Sequence, residues 1–217
     1  MGAPDLVVWD LDGTVADSQA GILLCLHATL VRYDRDAPDE TLRAAIGPPL
    51  DGSFEMLGFS GRELREAVDH YRGLYDEVGV DLAHPYAGVV DTMRELAERG
   101  VTQRVATAKR VDFARRMLGA FAVSDLLDDV AGATLDGHVT AKSEILARAL
   151  NGWRPPVAWM VGDRRYDVEA DLALGVSAVG ALWGYGSRDE LVAAGAHWLV
   201  ATPEDLLVEP GASPASP

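Results

Sequence analysis

Two aspartates, Asp10 and Asp12, stand two residues apart where the apolar run DLVVW ends in DLDGT. Residues i and i+2 of extended backbone project to one side, so the spacing predicts two carboxylates facing one point, where a cation would relieve their repulsion. Asp163 and Asp167, four apart in GDRRYD at a helix start, share one helical face. Thr107 ends the strand-like VTQRVAT, where its hydroxyl and the amides of the following helix can bind anionic oxygens. Lys142 opens KSEILARAL after the loop TLDGHVT and can neutralise charge that develops in a transition state.

These groups suit the hydrolysis of phosphate monoesters, which is slow enough without catalysis to need several charges acting together. A carboxylate nucleophile splits the reaction into formation and breakdown of an acyl phosphate. A second acid protonates the departing alkoxide and later activates water. Asp10 and Asp12 fit these two jobs. Magnesium takes oxygen ligands from one or two carboxylates plus substrate phosphate, and Asp163 can supply the further carboxylate. Asp-Gly between apolar residues is also a hairpin signal, but a helical pattern rather than a returning strand follows Gly13.

The 217 residues carry a formal charge of -15, which opposes binding to nucleic acid or to an anionic membrane surface. An anionic substrate must therefore be drawn by local charge. Lys109, Arg110, Lys142, Arg164 and Arg165 all fall in or beside the strand-end loops where open α/β sheets bind ligands. Without a signal-peptide pattern or an apolar stretch of roughly 18 residues, a cytoplasmic protein is expected. The single cysteine, Cys25, forbids an internal disulfide and reads as a buried small hydrophobe. Nothing in the sequence chooses between a monomer and a homodimer.

Strand-like runs at residues 5–9, 101–107, 156–163 and 175–182 alternate with amphipathic helical patterns at 89–100, 111–121, 142–150 and 167–175. That alternation predicts an α/β fold with a parallel sheet covered on both faces. Residues 17–82 break it with helical patterns alone and read as a helical insert that closes near HPYAG. The core is then 1–16 with 83–208, and the Pro- and Ser-rich 209–217 reads as a disordered tail. Ser187 with Glu190 and Ser60 with Glu63 fit capping boxes, Thr202 with Pro203 fits N-cap and N1, and Gly100 and Gly175 fit helix C′ positions.

Taken in order, DLDGT, Thr107, Lys142 and GDRRYD resemble the four motifs of the haloacid dehalogenase superfamily, specifically its phosphatases, over nearly the whole chain. The resemblance implies a Rossmann-like core with Asp10 as nucleophile and Asp12 as general acid and base. It implies Mg²⁺ held by Asp10, the main-chain carbonyl of Asp12 and Asp163, with Asp167 in support. Gly13, Thr14, Ala108 and Lys109 would lie against the phosphate, and the helical insert would be a small cap that selects a small phosphorylated metabolite. IGPPL, AGATLDGHVTAK and WGYGSRDEL look like the branch holding phosphoglycolate phosphatases and 5′-nucleotidase-like enzymes, with Gly47 and Pro48 in a rigid cap loop facing the site. TAKR departs from the branch's TSKP-like string, and Trp9 stands for a more usual Phe, an exchange that looks conservative. Gly184 and Gly186 are expected to serve loop geometry. His27, Arg32, Arg43, Arg62 and Arg65 are the cap cations that could meet a carboxylate or second phosphate on the substrate. A sugar phosphomutase, a dehalogenase and a non-catalytic phosphate-binding protein remain as alternatives.

Overall fold

The computed structural model describes residues 3–208, apart from the side chains of residues 171–173, so the expected tail at 209–217 lies outside the described residues. LVVW forms β1 (Leu6–Trp9), in which Val7 and Trp9 face one side and Leu6 and Val8 the other, all of them fully buried. A strand apolar on both faces must sit inside a sheet covered on both sides. The chain next forms β2 (Ala16–Asp17) and the helices α1 (Gln19–Arg32), α2 (Asp39–Ala44), α3 (Leu50–Met56) and α4 (Gly61–Leu74). A π-helical turn at Tyr75–Gly79 and a 3₁₀ turn at Val80–Leu82 lead into β3 (His84–Pro85), which pairs antiparallel with β2. That two-stranded ribbon carries both ends of the helical insert.

The remaining elements alternate: α5 (Val89–Glu98), β4 (Thr102–Arg110), α6 (Val111–Ala120), β5 (Asp129–Ala133), α7 (Lys142–Leu150), β6 (Ala158–Gly162), α8 (Arg165–Leu174), β7 (Ser177–Ala181), α9 (Arg188–Ala194) and β8 (Trp198–Val200). Strands β1 and β4 to β8 make one parallel sheet in the order β5-β4-β1-β6-β7-β8. The order reverses beside β1, with β4 on one side and β6 on the other, and such a switch point opens a crevice at the carboxyl ends of the strands. The fold is the α/β parallel sheet that the alternating pattern implies, with the Rossmann-like core that the resemblance implies.

Two apolar layers cover the sheet. Trp9 and Val105 belong to a cluster that continues through Leu26, Phe54 and Tyr75 of the insert, so the insert packs on the core without a break. Leu6, Val8 and Met160 pack with Ile145 and Leu146 of α7 on the opposite face. Helix α1 buries Ile22, Cys25, Leu26, Thr29 and Leu30, a stripe of period three and four. No helix among the described residues is long and apolar enough to cross a membrane.

Several local expectations are corrected. Strands β5 and β8, the ribbon and helix α3 were not anticipated, and β4 runs past Thr107 to Arg110 with its pairing register interrupted between those residues. Ser60 stands at the N-cap of α4 without a side-chain cap bond, and the Glu63 carboxylate accepts from Arg35 at 2.6 Å instead of reaching back to it. Ser187 accepts from the Glu190 amide at 3.1 Å, but the Glu190 carboxylate accepts from Arg164 and from the Arg165 amide instead of closing a box. Trp9 is no neutral replacement: its indole N–H donates to buried Gln103 Oε1 at 3.1 Å, and Gln103 Nε2 donates to the Met93 carbonyl at 2.7 Å.

Candidate functional site

The ends of the three adjacent strands β4, β1 and β6 bring the candidate residues together. The Asp10 amide donates to the Val161 carbonyl at 2.8 Å, which seats Asp10 directly beyond the sheet. Asp163 follows β6, and Asp167 lies in the first turn of α8, where its carboxylate accepts from the Arg164 amide at 3.0 Å. One carboxylate oxygen each of Asp10, Asp163 and Asp167 lies within 4.8 Å of the others, and all three residues are buried. Lys142, the first residue of α7, reaches into this cluster, with Nζ 2.6 Å from Asp10 Oδ1 and 2.7 Å from Asp167 Oδ1.

One lysine does not balance three buried carboxylates, and the protonation equilibria reflect this. Burial pushes the Asp10 carboxyl up to about 7 against the pull of Lys142, with the Asp167 charge adding to the rise. Burial likewise raises Asp163 well above the usual carboxylate range, helped by the charges of Asp167 and Asp10. Burial alone would lower the Lys142 ammonium, but Asp10 and Asp167 more than offset it and hold the group charged. The site is therefore short of positive charge, and its all-oxygen donors are those a hard divalent cation prefers. The residues present fit Mg²⁺.

Asp12 points elsewhere. Its carboxylate accepts from Ser18 Oγ at 2.5 Å and meets Lys109 Nζ at 3.0 Å. The two neighbouring aspartates thus do not share one cation through their carboxylates: Asp10 faces Lys142 and Asp12 faces Lys109. Expected as a phosphate contact, Lys109 is instead committed to Asp12 and to the Tyr75 hydroxyl, 2.8 Å away, with Nζ over the Tyr75 ring. Lys109 nevertheless lines the same cavity as Asp10 and Thr107.

A cavity opens above these groups, lined by Asp10, Asp12, Thr107 and Ala108 on the core and by Gly47 and Pro48 on the insert. Thr107 Oγ1 accepts from the Lys109 amide at 3.1 Å, which leaves its hydroxyl hydrogen free to donate. Thr14, by contrast, is fully buried and donates to Asp163 Oδ1 at 3.2 Å, so it orients a carboxylate rather than a ligand. Gly13 adopts φ +88°, and a Cβ there would collide with the Asp163 carboxylate. Its role is close approach within the cluster.

Three further groups shape the site; the sequence marks Arg164 only as a strand-end cation and Gly184 only as a loop glycine, and it does not single out Arg72. The Tyr185 amide donates to Asp163 Oδ2 at 2.8 Å, and a Cβ on Gly184 would strike Asp163, so the loop after β7 is built onto that aspartate. Arg164 donates from Nε to Glu190 at 2.9 Å and from Nη1 to the Ile46 carbonyl, tying the loop after β6 to the insert beside Gly47. Arg72, near the end of α4, lines the cavity, whereas His27, Arg32, Arg43, Arg62 and Arg65 are exposed and do not line it. Arg110 lines the cavity but forks onto Asp112 at 2.7 and 2.6 Å, and Arg165 is exposed beside Tyr166.

Carboxylates and a lysine are thus gathered at the switch point of a parallel sheet, beneath a helical insert, as the candidate active site of an α/β core. The chain belongs to the haloacid dehalogenase-like hydrolase family, whose model matches residues 7–181. It is similar to the tyrosine-protein kinase PtkA of Mycobacterium tuberculosis, 35% identical over 190 residues that make up 86% of this chain and 65% of that protein. The chain thus spans somewhat less than two thirds of that relative's length. It is also similar to a 5′-nucleotidase of Pseudomonas aeruginosa, 35% identical over 189 residues, 85% of this chain and 86% of that one. A crystal structure of a predicted phosphatase from Clostridium acetobutylicum superposes with a TM-score of 0.89 at 31% identity, over 94% of this chain and 97% of that chain.

Proposed function

We propose that this chain is a Mg²⁺-dependent, cytoplasmic phosphatase that hydrolyses small phosphate monoesters through an aspartyl-phosphate on Asp10. The observation that carries the reading is the buried cluster in which Asp10 lies against Lys142 and within 4.8 Å of Asp163 and Asp167. The similarity to proteins named as a 5′-nucleotidase and a phosphatase supports the reaction class.

Asp10 and Asp163 would hold the magnesium, with Asp167 oriented by Lys142 and the Arg164 amide in support. Bound there, Mg²⁺ supplies charge neutralisation for the phosphoryl oxygens and keeps Asp10 ionised. An Asp10 oxygen attacks phosphorus, the bond from phosphorus to the ester oxygen breaks, and Asp12 gives its proton to the departing alkoxide. Asp12, now a carboxylate beside Lys109, takes a proton from water as that water attacks the acyl phosphate. Inorganic phosphate leaves and Asp10 is regenerated. Lys142 and the Thr107 hydroxyl meet charge on the transferring group, which is where preorganised donors contribute most. Residues 17–82 serve as the cap over the core of 1–16 and 83–208, and the loop of Gly47 and Pro48 walls the leaving-group side.

The test is release of inorganic phosphate from phosphoglycolate, nucleoside monophosphates, sugar phosphates and pyrophosphate, with Mg²⁺ and with EDTA. Release that EDTA stops, and that Asp10→Asn abolishes while the fold survives, is the expected result. Turnover that persists in Asp10→Asn overturns the mechanism.

A further inference from the structure

Arg72 stands apart from the other cations of the cavity. Lys109 is held by Asp12 and Tyr75, and Arg110 is forked onto Asp112 and stacked over the Phe113 ring. Among the described residues Arg72 makes no side-chain hydrogen bond, and its one ion pair is with Asp69 at 3.9 Å, whose side chain is 78% exposed. A pair that long and that exposed contributes almost nothing. Yet the Arg72 side chain is only 23% exposed and lines the same cavity as Asp10 and Thr107.

The lining of this cavity includes apolar Ile22, Leu26 and Leu50, the polar groups of Ser53 and Tyr71, and exposed Asp51. Apolar walls give a charged ligand group nothing to bond to, and Arg72 is, among the described residues, the lining cation without a close carboxylate partner, so its guanidinium is open to an anion that enters there. Arginine offers five donors in a planar fork that matches carboxylate and phosphate oxygens in pairs. Arg164 donates to the Ile46 carbonyl and so ties down another residue of the lining.

We propose that Arg72 is a specificity residue that binds a second anionic group on the leaving-group side, so that the preferred substrates are short phosphate monoesters whose alcohol carries a carboxylate or a further phosphate. This rests on the phosphatase reading above. It narrows the substrate class away from esters whose leaving group is uncharged.

Three esters on a two-carbon frame test it: 2-phosphoglycolate with a carboxylate, ethylene glycol bisphosphate with a second phosphate, and ethylene glycol monophosphate with a neutral hydroxyl. The wild-type chain is expected to favour at least one anionic ester over the neutral one by about 10-fold or more in kcat/KM, and the larger preference names the source of the anion. Arg72→Gln should lower kcat/KM for that ester by roughly 10- to 100-fold, mainly through KM, while the neutral ester changes by less than about 3-fold. Arg72→Lys should recover part of the loss. An equal fall on all three esters, or no fall on the anionic ones, overturns the proposal while leaving the phosphatase reading intact. No phosphate release by the wild-type chain from any of these or from an activated aryl phosphate overturns both.

Discussion

Lys142 Nζ stands 2.6 Å from Asp10 Oδ1, so the first residue of α7 is in direct contact with the residue that follows β1, 132 positions earlier in the chain. The contact sets the charge balance of the whole cluster, because Lys142 is the side-chain cation within reach of Asp10 and Asp167 together. Lys142→Met should lower kcat by roughly 10²- to 10³-fold, the usual range for removing one preorganised charge from a transition state. It should also lower the melting temperature of the Mg²⁺-free protein more at pH 8 than at pH 6, since protonation of the remaining carboxylates relieves their repulsion. Phosphate-release kinetics and thermal melts at the two pH values check both effects.

The Asp10 carboxyl gives the Mg²⁺-free protein a pH dependence whose sign can be worked out. Its pKa is about 7 in the folded chain against 3.8 for the free side chain, so between those values the folded state binds the proton that the unfolded state has released. Stability from this group is present below about pH 4 and is lost as pH rises through about 7. Asp10→Asn removes the dependence. In EDTA the melting temperature of the variant minus that of the wild type should therefore grow from pH 4 to pH 7. A difference that stays flat would mean that burial does not perturb Asp10.

Trp9 and Gln103 form a buried pair, and Trp9→Phe would leave Gln103 Oε1 without its donor. Loss of one partner from a buried hydrogen bond costs about 1–3 kcal/mol. Chemical denaturation should show a loss of that size, and Gln103→Leu in the same chain should recover only part of it. The recovery is partial because Gln103 Nε2 also serves the Met93 carbonyl. Since Asp10 follows Trp9 directly, kcat is expected to fall modestly as well, and the steady-state assay reads it.

Arg164 joins the loop after β6 to the insert through the Ile46 carbonyl and is itself fixed by Glu190. Arg164→Met should loosen the cavity wall at Gly47 and Pro48. KM is expected to rise by about 10-fold, equivalent to about 1.4 kcal/mol, with kcat changed by less than about 3-fold. Glu190→Gln should give a smaller effect in the same direction, because the Ile46 bond remains. Steady-state kinetics on one good substrate separates KM from kcat.

Much of the core is legible because its signals are local. Leu6 to Trp9 read as a strand buried on both faces, and Lys142 to Leu150 read as a helix with the observed bounds, since each pattern lies within one element. Strands β5 and β8 escaped notice for the opposite reason. Asp-Val-Ala-Gly-Ala and Trp-Leu-Val are short edge strands in which most residues are at least partly exposed, and they pair with a single neighbouring strand.

The site divides in the same way. The sequence by itself determined which groups could do chemistry, because Asp10, Asp12, Thr107, Lys142, Asp163 and Asp167 announce themselves at element ends where polar residues have no packing role. Which group meets which was decided by the tertiary structure alone. Lys109 went to Asp12 and Tyr75, Thr14 went to Asp163, and Arg72 rather than the exposed arginines of the insert reached the cavity. Ion pairs and hydrogen bonds act over a few ångströms, and residues 132 positions apart come within that range only when the sheet register and the seating of the insert bring them there.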